Sequence, residues 1–189
     1  MSDNKPAELD VITRILHLGL AICGTWAWWL GDEAHDFHHV EHSGYILHMW
    51  VGLSFAAFLL LRLGYGFFGP RSQRFSTWVP YTRTRFAYVI SDLRTLMRFR
   101  VPEPVTHQGL NAAIISLALV LFTFQGISGT IMSLNITPGA RADQWLRPIM
   151  ELHGAGGVWI PTYLFLHVGA TVLHALTRHQ IWKKMVFMK

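Results

Sequence analysis

Four long apolar runs constrain the fold of this chain more than any other feature of its sequence. They extend over residues 11–30, 45–68, 110–134 and 152–176. Each run is long enough for an α-helix to cross the hydrocarbon core of a bilayer, which takes about 20 residues. Backbone polar groups inside a bilayer must be satisfied within the segment, so helices are the expected structure. The sequence therefore predicts an all-α integral membrane four-helix bundle that forms a single domain over residues 1–189.

The composition supports a membrane protein. The chain is 51% hydrophobic and 14% charged, whereas average globular proteins carry about 25% charged residues. Residues 1–10 are polar, and no small-residue cleavage site follows the first run, so a retained span is predicted rather than a signal peptide. A lone cysteine, Cys23, excludes both an intrachain disulfide and a C-x-x-C-H site for covalent haem attachment.

The distribution of basic residues predicts the orientation of the spans. Seven arginines lie in the connection 69–103 and three lysines in the C-terminal tail, whereas the two other connections hold only Arg141 and Arg147. The positive-inside rule therefore predicts that both termini and the arginine-rich connection are cytoplasmic. The net charge of +5 is explained by this topology, so nucleic-acid binding is not expected.

The arginine-rich connection also contains a helical pattern of apolar residues. The residues that recur with this spacing are Phe86, Val89, Ile90, Leu93, Leu96 and Met97. The pattern predicts an amphipathic helix lying on the cytoplasmic surface of the membrane. A soluble helix that caps the bundle is the alternative interpretation.

Four histidines within the spans are the strongest candidates for chemistry. His153 and His167 are 14 residues apart, which on one helix separates them by about 21 Å and returns both to nearly the same face. With the predicted orientation, His48 matches the outer level of His153, and His17 matches the inner level of His167. Each pair could supply the two axial imidazoles of a haem, and Gly52, one turn from His48, would leave room for the ring. For a single histidine, the alternative is a buried residue hydrogen-bonded to a neighbouring helix.

Three further ionisable residues are candidates near the inner level. Arg62 follows His48 by 14 residues and could pair with an inner haem propionate, or it could snorkel to the membrane surface. His107 and His174 could exchange protons at a quinone site, because histidine titrates in the useful range. An interfacial position is the alternative for both, and His174 is also a rival to His167 as a haem ligand.

The predicted outer connection holds a cluster of histidines and carboxylates. Its histidines are His35, His38, His39 and His42. Such side chains could bind zinc or copper, but their spacing matches no closed metal-site signature. A polar loop that docks a partner is the favoured interpretation.

The motifs that carry these histidines resemble the bacterial di-haem cytochrome b family. This family includes the membrane b subunits of nickel–iron hydrogenases and formate dehydrogenases and the stand-alone cytochrome b(561)-type proteins. The segment 14–17, Arg-Ile-Leu-His, is similar to the family's Arg-x-x-His opening, and the second span from His48 to the Tyr-Gly-Phe-Phe-Gly segment at 65–69 follows the family closely. The family usually begins its third span with Gly-His-Asn-Pro, whereas this chain has Thr-His-Gln-Gly at 106–109.

The resemblance implies a bundle that binds two b haems in the bacterial inner membrane. It further implies electron transfer between quinone, near the inner haem, and a periplasmic partner at the outer haem. That partner would be a hydrogenase-like or other dehydrogenase subunit, or a c-type cytochrome. A stand-alone enzyme that oxidises superoxide and reduces quinone is a second hypothesis. A haem-free membrane assembly or transport protein is a third.

Overall fold

A computed structural model describes residues 10–32, 34, 43–102, 109–136 and 142–176 of the chain. Within these ranges the regular structure is helical and no strand occurs, so the all-α prediction is confirmed. Short 3₁₀ turns at Arg71–Gln73 and Gln144–Leu146 precede two of the helices. The helices are α1 Val11–Trp29, α2 Ser43–Phe68, α3 Phe75–Trp78, α4 Arg83–Met97, α5 Gly109–Asn135, α6 Arg147–Gly157 and α7 Trp159–Leu176.

In the described part of the chain, four segments are long and apolar enough to cross a membrane, as the sequence predicts. Their bounds are Val11–Trp29, Gly44–Phe68, Gly109–Asn135 and Gln144–Leu176. These segments expose many large apolar side chains, among them Leu60 and Phe165. Such extensive apolar exposure would be unfavourable in water but suits contact with lipid.

The fourth span consists of two helices that follow each other directly within one apolar segment, Gln144–Leu176. α6 ends at Gly157 and α7 begins at Trp159, with Val158 between them at φ −65° and ψ −27°. Pro161 has no N–H to donate to the carbonyl of Gly157, and its ring crowds that carbonyl. Val158 itself has right-handed helical backbone angles. His153 and His167 therefore lie within one apolar segment that is long enough to span a membrane, as the sequence predicts.

The chain divides into two compact units. The first contains the described residues of Met1–Arg14, Leu63–Leu119 and Leu164–Lys189, and the second contains Ile15–Arg62 and Val120–Tyr163. Each unit is thus built from segments that are distant in the sequence. The assignment of residues 1–189 to a single domain stays a prediction.

In the first unit, polar contacts fix the start of α1. Asp10 caps this helix, because its Oδ1 accepts a hydrogen bond from the backbone N–H of Thr13 at 2.7 Å. The hydroxyl of Tyr65 donates to Oδ2 of the same carboxylate at 2.7 Å. The next residue, Gly66, is buried, and the ring of Phe75 occupies the space that a Cβ there would need. The Tyr-Gly segment at 65–66 thus ties α2 to α1 and to α3.

A second polar contact in the first unit joins α4 to α5. The carboxylate Oδ2 of Asp92 accepts a hydrogen bond from the backbone N–H of Leu110 at 2.8 Å. Gly109 adopts φ +61°, and a Cβ at this position would collide with the Asp92 carboxylate. Glycine tolerates this backbone conformation and this close approach. The Gln-Gly departure from the family pattern at the start of the third span therefore has a structural reason at Gly109.

In the second unit, aromatic and small residues bring the long helices together. The rings of Phe55 and Phe122 make an edge-to-face contact at 5.5 Å, and Phe122 makes another with Tyr163 at 5.2 Å. A Cβ on Gly126 would lie 3.3 Å from Leu59, so α5 approaches α2 closely at this glycine. These contacts place one face of α5 next to α2 and the start of α7.

Candidate functional site

The ring of His48 on α2 is oriented by the backbone of α1. Its Nδ1 lies 2.9 Å from the carbonyl oxygen of Ala27. A carbonyl oxygen can only accept a hydrogen bond, so Nδ1 must carry the proton. In the neutral ring this leaves Nε2 with a free lone pair, which is the form that binds a metal.

The ring of His153 on α6 is oriented in the same way by α5. Its Nδ1 lies 2.8 Å from the Oγ of Ser128, which itself donates to the carbonyl oxygen of Phe124 at 2.7 Å. The single hydroxyl proton is used in that bond, so the serine oxygen accepts from Nδ1–H of His153. Ser128 is only 4% exposed. His153 therefore also has its Nε2 lone pair available.

The two imidazoles lie next to each other. The ring centroids of His48 and His153 are 6.2 Å apart, and the ring planes are nearly perpendicular at 89°. Two metal–imidazole bonds of about 2.0 Å each, extended to the ring centres, require a separation of about 6 Å. The depths of these two residues along their spans predict a pair at the outer level, and their separation suits two ligands of one iron.

Two glycines determine how much space lies beside the rings of His48 and His153. A Cβ at Gly52, one turn along α2 from His48, would meet no atom within 4 Å, although the residue is partly buried. In contrast, a Cβ at Gly129 would lie 3.1 Å from Cε1 of His153. Open space beside one ring and a small residue against the other both fit a planar cofactor held between the imidazoles. The donor set and the space thus fit a haem.

Gln125 holds the backbone beside His153. Its Nε2 donates to the carbonyl oxygen of His153 at 3.1 Å. Its Oε1 lies where a Cβ on Gly156 would collide with it. The buried glutamine therefore holds α6 against α5, and a side chain at position 156 would have to displace its Oε1.

The other predicted haem and quinone residues fall in several parts of the molecule. His17 lies partly buried on α1, and Arg62 lies partly buried on α2, both within the second unit. His167 and His174 lie partly buried on α7 in the first unit, and the carbonyl oxygen of His167 accepts a hydrogen bond from Thr171 at 2.9 Å. The His17–His167 pairing, the propionate role of Arg62 and the quinone role of His174 stay predictions.

Two predictions fall on residues that the structure does not describe. His107 lies within the undescribed residues 103–108. The four loop histidines lie within the undescribed residues 35–42. The quinone role of His107 and the partner or metal role of the loop stay predictions.

Sequence reasoning missed the residues that orient His153. Ser128, Gln125 and Gly129 all come from one five-residue stretch of the third span, Gln-Gly-Ile-Ser-Gly at 125–129. This stretch carries no ionisable side chain, so it does not stand out as a site of haem ligands. Polar residues inside a span are costly and mark functional or packing sites, so the serine and glutamine were a usable signal.

A comparison with known families decides the class of protein. The family model described as prokaryotic cytochrome b561 matches residues 8–188, nearly the whole chain. The chain belongs to the prokaryotic cytochrome b561 family. No significant match was found among curated proteins or among solved structures. Membership of the cytochrome b561 family confirms the resemblance drawn from the motifs, and it makes the chain a membrane b-type cytochrome that binds haem b and takes part in electron transfer.

Proposed function

We propose that this cytochrome b561 binds two haems and transfers electrons between a periplasmic redox partner and the quinone pool. The observation that carries the proposal is the His48–His153 pair, whose rings lie 6.2 Å apart with both Nδ1 atoms engaged in hydrogen bonds. Haem b supplies reversible one-electron transfer when it is bound. The hydrogen bonds from Nδ1 would fix the tautomer and the orientation of both rings toward the iron.

The second haem would be held by His17 and His167, with Arg62 binding a propionate. The support is that all three residues are partly buried within apolar spans, where ionisable groups are rare. The test is the haem content of the purified protein, for which we expect two haems per chain. His17→Ala and His167→Ala should each lower the content to one and leave the same haem spectrum behind. One haem in the unaltered protein would refute the proposal, and two haems in His167→Ala would make His174 the ligand.

Quinone would react beside the inner haem, with His174 and His107 exchanging protons. His174 lies in the last turn of α7, seven residues beyond His167, and is partly buried. The test is the rate at which quinone reoxidises the reduced haems in lipid vesicles. His174→Ala should slow this rate while both haem spectra stay unchanged, and so should His107→Ala. Normal rates in both variants would remove these residues from the quinone site.

The periplasmic side would dock the redox partner above the His48–His153 haem. The arginine-rich connection favours this orientation, because basic connections remain in the cytoplasm and leave the opposite side facing the periplasm. The matching experiment is purification of the tagged chain from its native membranes in mild detergent. A redox subunit or c-type cytochrome should co-purify, and replacing the four histidines of the 35–42 segment should reduce its yield without loss of haem. If no partner is found and superoxide reduces the outer haem at full rate, the stand-alone enzyme hypothesis replaces the proposal of a periplasmic partner.

A further inference from the structure

The turn that ends α4 contains an unusual residue. Phe99 has φ +55°, a left-handed backbone conformation that is strained for a bulky residue. Its N–H donates to the carbonyl of Leu96 at 2.8 Å, and the N–H of Arg100 donates to the carbonyl of Thr95 at 3.1 Å. This pair of bonds is the helix-ending motif in which glycine normally takes the left-handed position. The chain therefore places a phenylalanine where a glycine would be favoured.

The side chain of Phe99 makes no compensating contact within the described part of the molecule. It is fully exposed, at 101% of the reference area. Strain that persists without a packing gain inside the fold points to a role outside the fold. The Phe99 ring is therefore expected to contact something outside the protein.

An exposed apolar stripe on α4 ends close to the Phe99 turn. Phe86, Leu93 and Met97 are spaced by seven and four residues, which puts them on one face of the helix. All three are exposed, and Met97 reaches 80%. The stripe ends two residues before Phe99, so apolar side chains continue from the helix into the turn.

The positive charge of residues 83–100 favours binding to a negatively charged surface. Five arginines and one aspartate lie between residues 83 and 100. The aspartate, Asp92, is directed into the protein, where it accepts the hydrogen bond from Leu110. The arginines that flank the stripe thus have no exposed carboxylate beside them in this segment. Basic residues around an exposed apolar face are typical of helices that bind anionic lipid.

The position of α4 in the fold indicates that the negatively charged surface is a membrane rather than a soluble partner. The Asp92–Leu110 hydrogen bond attaches the middle of α4 to the first turn of α5 at 2.8 Å. α5 is one of the four spans, so its first turn lies where a span leaves the hydrocarbon core. A helix attached at that point lies near the level of the lipid headgroups.

We propose that α4 and the turn after it form an interfacial anchor that inserts Met97 and Phe99 into an anionic phospholipid surface. The guanidinium of Arg85 donates to the carbonyl oxygens of Ser76 and Val79, so the other arginines of the segment bind the lipid phosphates. The strained turn presents the Phe99 ring beyond the end of the helix. Asp92 sets the depth by holding α4 at the start of α5. This proposal does not depend on the haem sites or on quinone.

The experiment measures the depth of spin labels in the full-length protein. Cys23 is the lone cysteine, so a Cys23→Ser background allows single labels at Phe99→Cys, Met97→Cys and Ser91→Cys. Ser91 is exposed on α4 about a third of a turn from Met97, away from the stripe, and serves as the control. The protein is placed in lipid nanodiscs of phosphatidylcholine with or without phosphatidylglycerol. Collisions with oxygen report the lipid phase, and collisions with a water-soluble nickel complex report the aqueous phase.

In phosphatidylglycerol nanodiscs, labels at 97 and 99 should collide mainly with oxygen, and the label at 91 mainly with the nickel complex. The label at 97 should move toward water without phosphatidylglycerol, and also in a Phe99→Gly variant, which retains the turn without the ring. Labels at 97 and 99 that are as accessible to nickel as the label at 91 would overturn the proposal. Labels hidden from both reagents would also overturn it, because a protein would then cover this surface.

Discussion

Ser128→Ala removes the atom that orients His153, which we propose binds the outer haem, and leaves His153 itself in place. The hydroxyl accepts from Nδ1 of His153 at 2.8 Å and is almost completely buried, so water has little access to replace it. Leaving a buried donor without its acceptor costs about 1–3 kcal/mol. At about 1.4 kcal/mol for each tenfold change, we expect the outer haem to be held roughly 10- to 100-fold more weakly, as is usual for residues that orient a metal ligand.

The same change should raise the midpoint potential of the outer haem. A hydrogen bond from Nδ1–H makes the imidazole a more basic ligand, which stabilises the more positive ferric iron. If about 1 kcal/mol of the interaction favours the ferric state, its loss raises a one-electron potential by about 40 mV. The assay is a redox titration of the haem absorbance, in which one component should shift and the other should not.

Matched variants separate this effect from a general effect of removing a serine. Ser116 and Ser133 also lie on α5, and each donates to a backbone carbonyl of its own helix. Ser116→Ala and Ser133→Ala should leave both components in place, and Ser128→Thr should restore the potential by retaining a hydroxyl. An unchanged titration in Ser128→Ala, or the same shift in Ser116→Ala, would refute the reasoning.

Two further substitutions test contacts that position the helices. Gly129→Ala places a methyl group about 3.1 Å from Cε1 of His153, so it should tilt the ring and change the ferric electron paramagnetic resonance signal of one haem. Gly154→Ala, which meets no atom within 4 Å, should leave both signals unchanged. Asp92→Ala removes the acceptor of the Leu110 N–H, which should cost about 1 kcal/mol and lower the midpoint of thermal unfolding. Asp143→Ala, at an exposed position, should not change the midpoint, and equal effects of the two substitutions would contradict a specific role for Asp92.

The spans could be predicted from the sequence because long apolar runs leave the backbone few alternatives in a bilayer. The change from α6 to α7 at Val158 was not predicted, although Pro161 and the two glycines before it were visible. Apolarity alone does not reveal such a change, since proline and glycine are tolerated within membrane spans. The helical pattern over the arginine-rich connection did predict α4, because its apolar residues recur with the helical period.

The candidate site was predictable only in part. The depth of His48 and His153 along their spans followed from counting residues, and the structure places their rings side by side. The hydrogen-bond partners did not follow, because Ala27 acts through its backbone and Ser128 lies 25 residues from His153. Such contacts depend on the rotation of each helix about its axis, which hydropathy does not specify. The left-handed turn at Phe99 could not be predicted either, because glycine and not an aromatic residue is expected at that position.

The most direct test of the central claim is the haem content of three variants, His48→Ala, His153→Ala and the double variant. If both side chains bind the same iron, each single variant should lose one haem from two, and the double variant should retain the other haem with an unchanged spectrum. Loss of both haems in the double variant but only one in each single variant would show that His48 and His153 bind different irons. That result would contradict the pairing inferred from the 6.2 Å separation of their rings.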